Sequence, residues 1–163
     1  MRYHNITHDD MLNGDGLRVV LWVSGCDHHC EECHNPVTWD IDGGIEFGEL
    51  DKQELMEYLG KDYTAGVTFS GGDPLHPQNR DEVGALIENA KRLHPDKDVW
   101  IYTGYEWNDV KDLPFMKHVD VLVDGEYKKD MRTSGIRWRG SENQKIIDVQ
   151  KSLILDTIVL WRE

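Results

Sequence analysis

Long apolar runs, a secretory leader and a disulfide framework are all missing from this sequence of 163 residues. No stretch approaches the ~18–20 consecutive apolar residues that a membrane span needs. Residues 1–10 lack the apolar stretch of a secretory signal. Basic residues are also scarce, since 18 lysines and arginines stand against 31 aspartates and glutamates and give a net charge of −13. A chain this acidic repels phosphate backbones. We therefore expect a cytoplasmic protein that binds neither membranes nor nucleic acids.

Cysteine is rare but concentrated in one place. The chain has only three, Cys26, Cys30 and Cys33, all within eight residues. An odd number cannot form a closed disulfide framework, and such a thiol cluster indicates a reducing compartment. Thiolates are soft ligands suited to zinc or to an iron–sulfur cluster. Two interpretations stay open at this point: a zinc knuckle completed by a nearby histidine, and a [4Fe–4S] cluster in which one iron has no cysteine.

Short apolar runs alternate with helical patterns along the chain. Five runs are typical of strands covered on both faces, at 18–24, 66–70, 98–103, 119–124 and 157–161. Two segments, 51–60 and 81–93, have the 3.6-residue apolar period of a helix. The apolar face predicted for the second helix consists of Val83, Leu86, Ile87, Ala90 and Leu93. The alternation predicts a single α/β domain over residues 1–163 with a mostly parallel sheet.

The unusual loops of the sequence all follow predicted strands. The cysteines come after the first strand, and Gly-Gly-Asp-Pro at 71–74 comes after the second. Thr103 ends the third strand and Asp124 the fourth. Because ligands of parallel sheets bind beyond the carboxyl ends of the strands, we expect these loops to meet at one binding site.

The order of these motifs resembles that of the radical S-adenosylmethionine (SAM) enzymes. Asn-Gly-Asp-Gly-Leu-Arg at 13–18 and Cys-His-Asn-Pro at 33–36 resemble the activating enzymes of glycyl-radical proteins. Val-Leu-Val-Asp-Gly at 121–125 and Arg-Gly-Ser-Glu-Asn-Gln at 139–144 are similar to one branch, the activases of anaerobic ribonucleoside-triphosphate reductase. The resemblance covers most of the chain and implies a single-domain, incomplete radical SAM β/α barrel.

The resemblance also implies a chemistry. Cys26, Cys30 and Cys33 would ligate three irons of a [4Fe–4S] cluster, and the amino and carboxylate groups of SAM would chelate the fourth. Reductive cleavage of SAM would then generate a radical that abstracts hydrogen from a glycine of the partner. The implied partners are the large subunit of anaerobic ribonucleotide reductase and an electron donor such as a flavodoxin.

The same resemblance assigns residues to SAM. Gly71 and Gly72 would let the backbone approach its methionyl end, and Asp73, where many family members carry Glu, would balance the positive charge there. Glu32 stands where an aromatic residue often lies against adenine, so any contact to the base would come from its backbone or aliphatic stem. The remaining residues of the implied cofactor site are Cys33, His34, Thr103 and Asp124.

Two alternatives accompany this interpretation. The chain could activate another glycyl-radical enzyme, such as pyruvate formate-lyase, although its short length and the motif at 139–144 favour the reductase. It could instead be a non-catalytic, zinc-stabilised binding module in which His34 serves as the fourth ligand.

Overall fold

The computed structural model describes residues 1–132, 135 and 137–161, which form an α/β fold around one seven-stranded sheet. The strands are β1 (Arg2–Asp10), β2 (Arg18–Val23), β3 (Ile45–Glu46), β4 (Gly66–Gly71), β5 (Asp98–Tyr102), β6 (Val121–Asp124) and β7 (Lys145–Asp148). The α-helices are α1 (Glu49–Leu59), α2 (Arg80–Leu93), α3 (Trp107–Val110) and α4 (Val149–Leu155). Short 3-10 turns cover Pro36–Thr38, Pro114–His118 and Lys129–Met131.

The centre of the sheet is parallel and its edges are antiparallel. The strand order is β3-β1-β2-β4-β5-β6-β7, in which β2, β4, β5 and β6 run parallel to one another. β1 and β3 on one edge, and β7 on the other, run antiparallel. The sheet is therefore mixed, mostly parallel in its centre, and it does not close on itself. The carboxyl ends of the four central strands therefore lie at the same end of the sheet, where the unusual loops of the sequence follow them.

The two faces of the sheet have different covers. Alternate side chains of the central strands, such as Leu21, Phe69 and Ile101, are buried in the main apolar core together with α1 and α2. The opposite face carries a smaller cluster formed by Trp100, Val121, Val123, Trp138 and Ile146. Because both faces are covered, the central strands are apolar along nearly their whole length, as the sequence predicts.

Arg18 is a charged residue in the centre of this fold. Its side chain is fully buried and donates to Thr68 Oγ1 at 2.7 Å, to the carbonyl of Asp15 at 2.8 Å and to the carbonyl of Val67 at 3.0 Å. It also forms an ion pair with Asp98. Arg18 thus forms a hydrogen bond within the segment 13–18 and others with β4, which gives this part of the sequence motif a structural role.

The predicted elements agree with the structure except for the last strand, and the structure adds elements that the sequence analysis does not predict: β1, β3, β7, α3 and α4. The first four predicted strands and both predicted helices are present within a few residues. The fifth predicted strand, 157–161, is wrong: among the described residues it forms only an isolated antiparallel bridge between Leu160 and Ile147 of β7. Leu93, which the periodicity places on the apolar face of α2, is 46% exposed because it is the last residue of that helix.

The described part of the chain contains no helix long and apolar enough to cross a membrane.

Candidate functional site

The loops that follow the central strands surround one pocket of about 650 Å³. This volume lies within the ~300–1,000 Å³ of typical small-molecule sites. The lining comes from the cysteine loop after β2, the Gly-Gly-Asp turn after β4, Thr103 and Gly104 after β5, and Gly125 and Tyr127 after β6. The predicted meeting of these loops at one site is therefore confirmed.

All three cysteines line this pocket, and each sulfur has a backbone N–H near it. Asn35 N–H donates to Cys33 Sγ at 3.4 Å. Burial raises the pKa of the Cys26 thiol to about 11, while the backbone N–H of His28 acts in the opposite direction. Burial likewise raises the pKa of the Cys30 thiol, against the backbone N–H of Tyr127. Such thiols ionise when iron or another metal binds them, and the N–H groups then stabilise the sulfur charge.

The three cysteines lie in a pocket that has room for a cluster. Among residues 1–132, 135 and 137–161, no three histidine, cysteine, aspartate or glutamate side chains are grouped closely enough to hold one metal ion. The cysteines are free thiols, and they line the wall of a pocket with room for more than an ion. Three thiolates around an open pocket are the donor set of an iron–sulfur cluster that keeps one accessible iron.

The glycine turn lies in close contact with the end of β2 and with the cysteine loop that follows it. Gly71 has a φ of +105°, and a Cβ there would lie 2.6 Å from the backbone nitrogen of Val23. A Cβ on Gly72 would lie 2.6 Å from the carbonyl oxygen of Gly25 and 2.8 Å from that of Thr38. Neighbouring backbone therefore already excludes a side chain at both positions, whatever ligand the pocket holds. Both glycines still line the pocket through their backbone atoms.

Asp73 lines the pocket but is almost fully buried, and its carboxylate is occupied by donors of the protein. It accepts hydrogen bonds from Thr103 Oγ1 at 2.8 Å, Gly104 N at 2.9 Å, Leu75 N at 2.9 Å and His28 Nε2 at 2.8 Å. The hydrogen bond to Asp73 raises the pKa of His28, against the opposing effect of burial. This carboxylate therefore organises the loops around the site.

The other predicted cofactor residues divide between the pocket and its surroundings. Cys33, His34 and Thr103 line the pocket, whereas Glu32 and Asp124 do not belong to its lining. Asp124 is buried behind it, where its two oxygens accept from the backbone of Trp107 at 2.9 Å and Lys145 at 3.1 Å. Burial raises the pKa of Asp124, while the two N–H groups lower it. Its position favours a structural role over contact with a ligand.

Sequence reasoning missed the aromatic part of the pocket. Tyr102 and Tyr127 line it, and their buried hydroxyls have no hydrogen-bond partner in the described part of the chain. Trp22 and Trp138 line it as well. Buried hydroxyls normally have a partner, so these two are unsatisfied polar groups among the residues that line the pocket. Tyr102 could have been found from the strand alternation, because it follows Trp100 by two residues and shares its face.

Comparison with known proteins links this site to a family. Residues 12–147 match the family model described as a 4Fe-4S single cluster domain. The chain is 46% identical over 146 residues to the anaerobic ribonucleoside-triphosphate reductase-activating protein of Enterobacteria phage T4, covering 90% of this chain and 93% of that one. It is 38% identical over 151 residues to the protein of that name from Haemophilus influenzae, and 35% identical over 150 residues to the one from Escherichia coli K12. Each of these alignments covers 90% of this chain and 97% of the relative.

Proposed function

The chain belongs to the anaerobic ribonucleoside-triphosphate reductase-activating proteins, with their 4Fe-4S single cluster domain, and we propose that it activates that reductase by the radical SAM reaction. The cluster bound to its cysteines would supply an electron that cleaves SAM, and the resulting radical would abstract hydrogen from a glycine of the reductase. Activity on the reductase rather than on another glycyl-radical enzyme follows from the relatives, which share both sequence and length with this chain.

One observation carries the proposal: three free cysteines and the glycine turn line the same pocket. Cys26, Cys30 and Cys33 would hold the cluster. Their number leaves one iron without a protein ligand, which is the position where the amino acid end of SAM would bind. A single metal ion in a closed site would need a fourth protein ligand instead.

SAM would occupy the part of the pocket between the cysteines and the glycine turn. Backbone groups of Gly71 and Gly72 would contact its methionyl end, since no side chain intervenes there. His34 and the hydroxyl of Tyr127 lie on the cysteine side, and the two rings are 5.0 Å apart. The hydroxyl of Tyr102 would serve a polar atom deeper in the pocket. We assign Asp73 to holding this wall in place and not to direct contact with SAM.

The open sheet suits a macromolecular substrate. The single domain would act as an incomplete radical SAM barrel, in which the side without strands leaves the pocket accessible to the glycine-bearing segment of the reductase. Met11 and Leu12 line that pocket and are 67% and 82% exposed, so its entrance offers apolar side chains to a partner. Docking of the reductase would cover this entrance and keep water away from the radical. A cytoplasmic electron donor such as a flavodoxin would reduce the cluster.

Anaerobic reconstitution with iron and sulfide tests this function. We expect a brown protein that, once reduced, converts SAM to methionine and 5′-deoxyadenosine and produces a glycyl radical signal in electron paramagnetic resonance when the reductase is added. Cys30→Ser should abolish cleavage, while the exposed Gln53→Ala on α1 should leave it intact. A colourless protein with one tightly bound zinc and no SAM cleavage would contradict the proposal. A radical on pyruvate formate-lyase, with none on the reductase, would reassign the partner.

A further inference from the structure

His28 lies at the point where the cysteine loop meets the ends of three other strands. Its Nε2 donates to Asp73 Oδ2, beyond β4, at 2.8 Å. Its Nδ1 is 3.5 Å from Glu126 Oε1, beyond β6. The side chain is 12% exposed. A residue between two cysteines of the loop is thus fixed from two sides by residues that are distant in sequence.

The residues beyond β5 complete the enclosure of the imidazole. The ring of Tyr105 meets it edge to face, with the ring centroids 4.7 Å apart. Gly104 lies directly against it, because a Cβ at that position would be 2.5 Å from His28 Cδ2. The space for this imidazole therefore exists only because residue 104 has no side chain.

Asp73 holds the enclosure together. The same carboxylate that accepts from His28 also accepts from Thr103 Oγ1 and from Gly104 N. Its side chain is buried, so these hydrogen bonds face little competition from water. Any displacement of the imidazole would leave a buried carboxylate oxygen with one donor fewer, which is costly.

From this geometry we propose that His28 is a positioning residue for the reaction, since its contacts with Asp73 and Glu126 fix the Cys26–Cys30 loop relative to the glycine turn. This inference rests on the proposed function. The loop would carry two cluster ligands and the turn would carry the methionyl end of SAM, so the imidazole fixes the distance between cluster and SAM. Electron transfer and bond cleavage between them both depend on that distance.

Three side-chain changes test this role. His28→Asn removes the donor to Asp73 because its amide is too short, whereas the amide of His28→Gln reaches the position of Nε2. His29→Asn is the matched control: His29 is on the same loop, is exposed, and stacks on Trp39 with the ring centroids 4.5 Å apart. Asn also tolerates the left-handed backbone of residue 29, where φ is 49°. We would measure iron per chain, the rate of 5′-deoxyadenosine formation, and the change that SAM causes in the resonance spectrum of the reduced cluster.

We expect His28→Asn to slow SAM cleavage by ~10- to 100-fold, as a misplacement on the order of 1 Å would, and to weaken the spectral change caused by SAM. His28→Gln should restore both substantially, and His29→Asn should match the wild type. A wild-type rate and spectrum in His28→Asn would overturn the proposal. If His28→Asn bound no iron, restoration by His28→Gln would support the proposal, and failure of that restoration would overturn it.

A fourth variant approaches the same contact from the other side. Gly104→Ala would push the imidazole out while leaving all of its hydrogen-bonding partners present. Gly104→Ala should slow SAM cleavage, as His28→Asn does. In a protein that already carries His28→Asn it should add little further loss, since the shorter Asn leaves room for the new methyl group. Additive effects would refute the link through His28. A wild-type protein that neither binds a cluster nor cleaves SAM would instead refute the proposed function.

Discussion

Replacing Arg18 with Met tests how much this buried cation stabilises the centre of the fold. The guanidinium is fully buried and donates to Thr68, to two backbone carbonyls and to the carboxylate of Asp98. Its carbon atom also lies 5.3 Å from the ring centroid of Trp100. Methionine keeps the apolar stem and removes only the charge and the hydrogen bonds.

The expected cost follows from the groups that lose their partner. Two buried acceptors and one partly buried acceptor lose a donor, at about 1 kcal/mol each. Removing one member of a buried ion pair costs about 3–5 kcal/mol, and the one-third exposure of Asp98 favours the lower part of that range. Because these two estimates describe overlapping losses, we expect a total loss of about 3–5 kcal/mol in the free energy of unfolding. This corresponds to a decrease in Tm of roughly 6–20 °C for a chain of this size.

The pH dependence adds a second readout. Burial raises the pKa of Asp98 in the native protein, although Arg18 acts to lower it. A raised carboxyl pKa contributes stability at low pH, and this contribution is lost as the pH rises through the raised value. Without Arg18 the pKa should rise further, so Arg18→Met should lose more stability at pH 7 than at pH 4.

Thermal unfolding of the reconstituted protein measures these effects. Arg92→Met, on the exposed end of α2, is the control and should change stability by less than about 0.5 kcal/mol. Adding Asp98→Asn to Arg18→Met should recover part of the loss, since the unpaired charge disappears. A Tm within 2 °C (roughly 1 kcal/mol) of the wild type for Arg18→Met, or a double variant less stable than the single one, would refute the reasoning.

Three further predictions concern the wall of the pocket. Tyr102→Phe should leave the unfolding free energy unchanged, because the hydroxyl has no partner in the described part of the chain. It should weaken SAM binding, measured by calorimetry, about fivefold, equivalent to about 1 kcal/mol. Lower stability with unchanged SAM binding would show that the hydroxyl stabilises the fold instead. Thr103→Val should lower the free energy of unfolding, measured with urea, by about 1–3 kcal/mol because Asp73 loses a buried donor. Thr103→Ser keeps the hydroxyl and should not lose this stability. Equal stability of the Val and Ser variants would contradict the prediction. Gly71→Ala should destabilise the protein by at least ~1–3 kcal/mol even without ligand, since its φ is +105° and a Cβ would approach the backbone of Val23. An effect confined to SAM binding would show that the ligand, and not the neighbouring strand, requires the glycine.

The sequence predicts the central strands well because they are buried on both faces. Their apolar runs, at 18–24 or 98–103, have no alternation that could be mistaken for a surface strand. β1, with the sequence RYHNITHDD, is mostly polar and carries bulges, so its role as a strand depends on pairing with β2 and not on its own composition. β7 is only four residues long, too short for a periodicity to show.

The candidate site divides in the same way. The three cysteines and the glycine turn are local motifs, so spacing along the chain identifies them. The partners of Asp73 cannot be read from the sequence, because His28 and Thr103 are 45 and 30 residues away and only the strand order brings them together. The sequence also could not show why residues 71 and 72 are glycines, since the backbone that excludes a side chain belongs to the neighbouring strand β2 at Gly71 and to the cysteine loop at Gly72.

The segment after β6 touches the cysteine loop in several places, so its stability and cluster occupancy must affect each other. Tyr127 N–H lies against the sulfur of Cys30, and Lys129 Nζ donates to Glu31 Oε1 at 2.6 Å. A cluster that binds the ordered cysteine loop stabilises the segment that packs on this loop. By linkage, ordering that segment increases the affinity of the loop for the cluster by the same factor. Amide hydrogen exchange at residues 126–131 should therefore slow when the cluster is assembled. A reductase that holds this segment would, by the same reciprocity, protect the cluster from loss of iron.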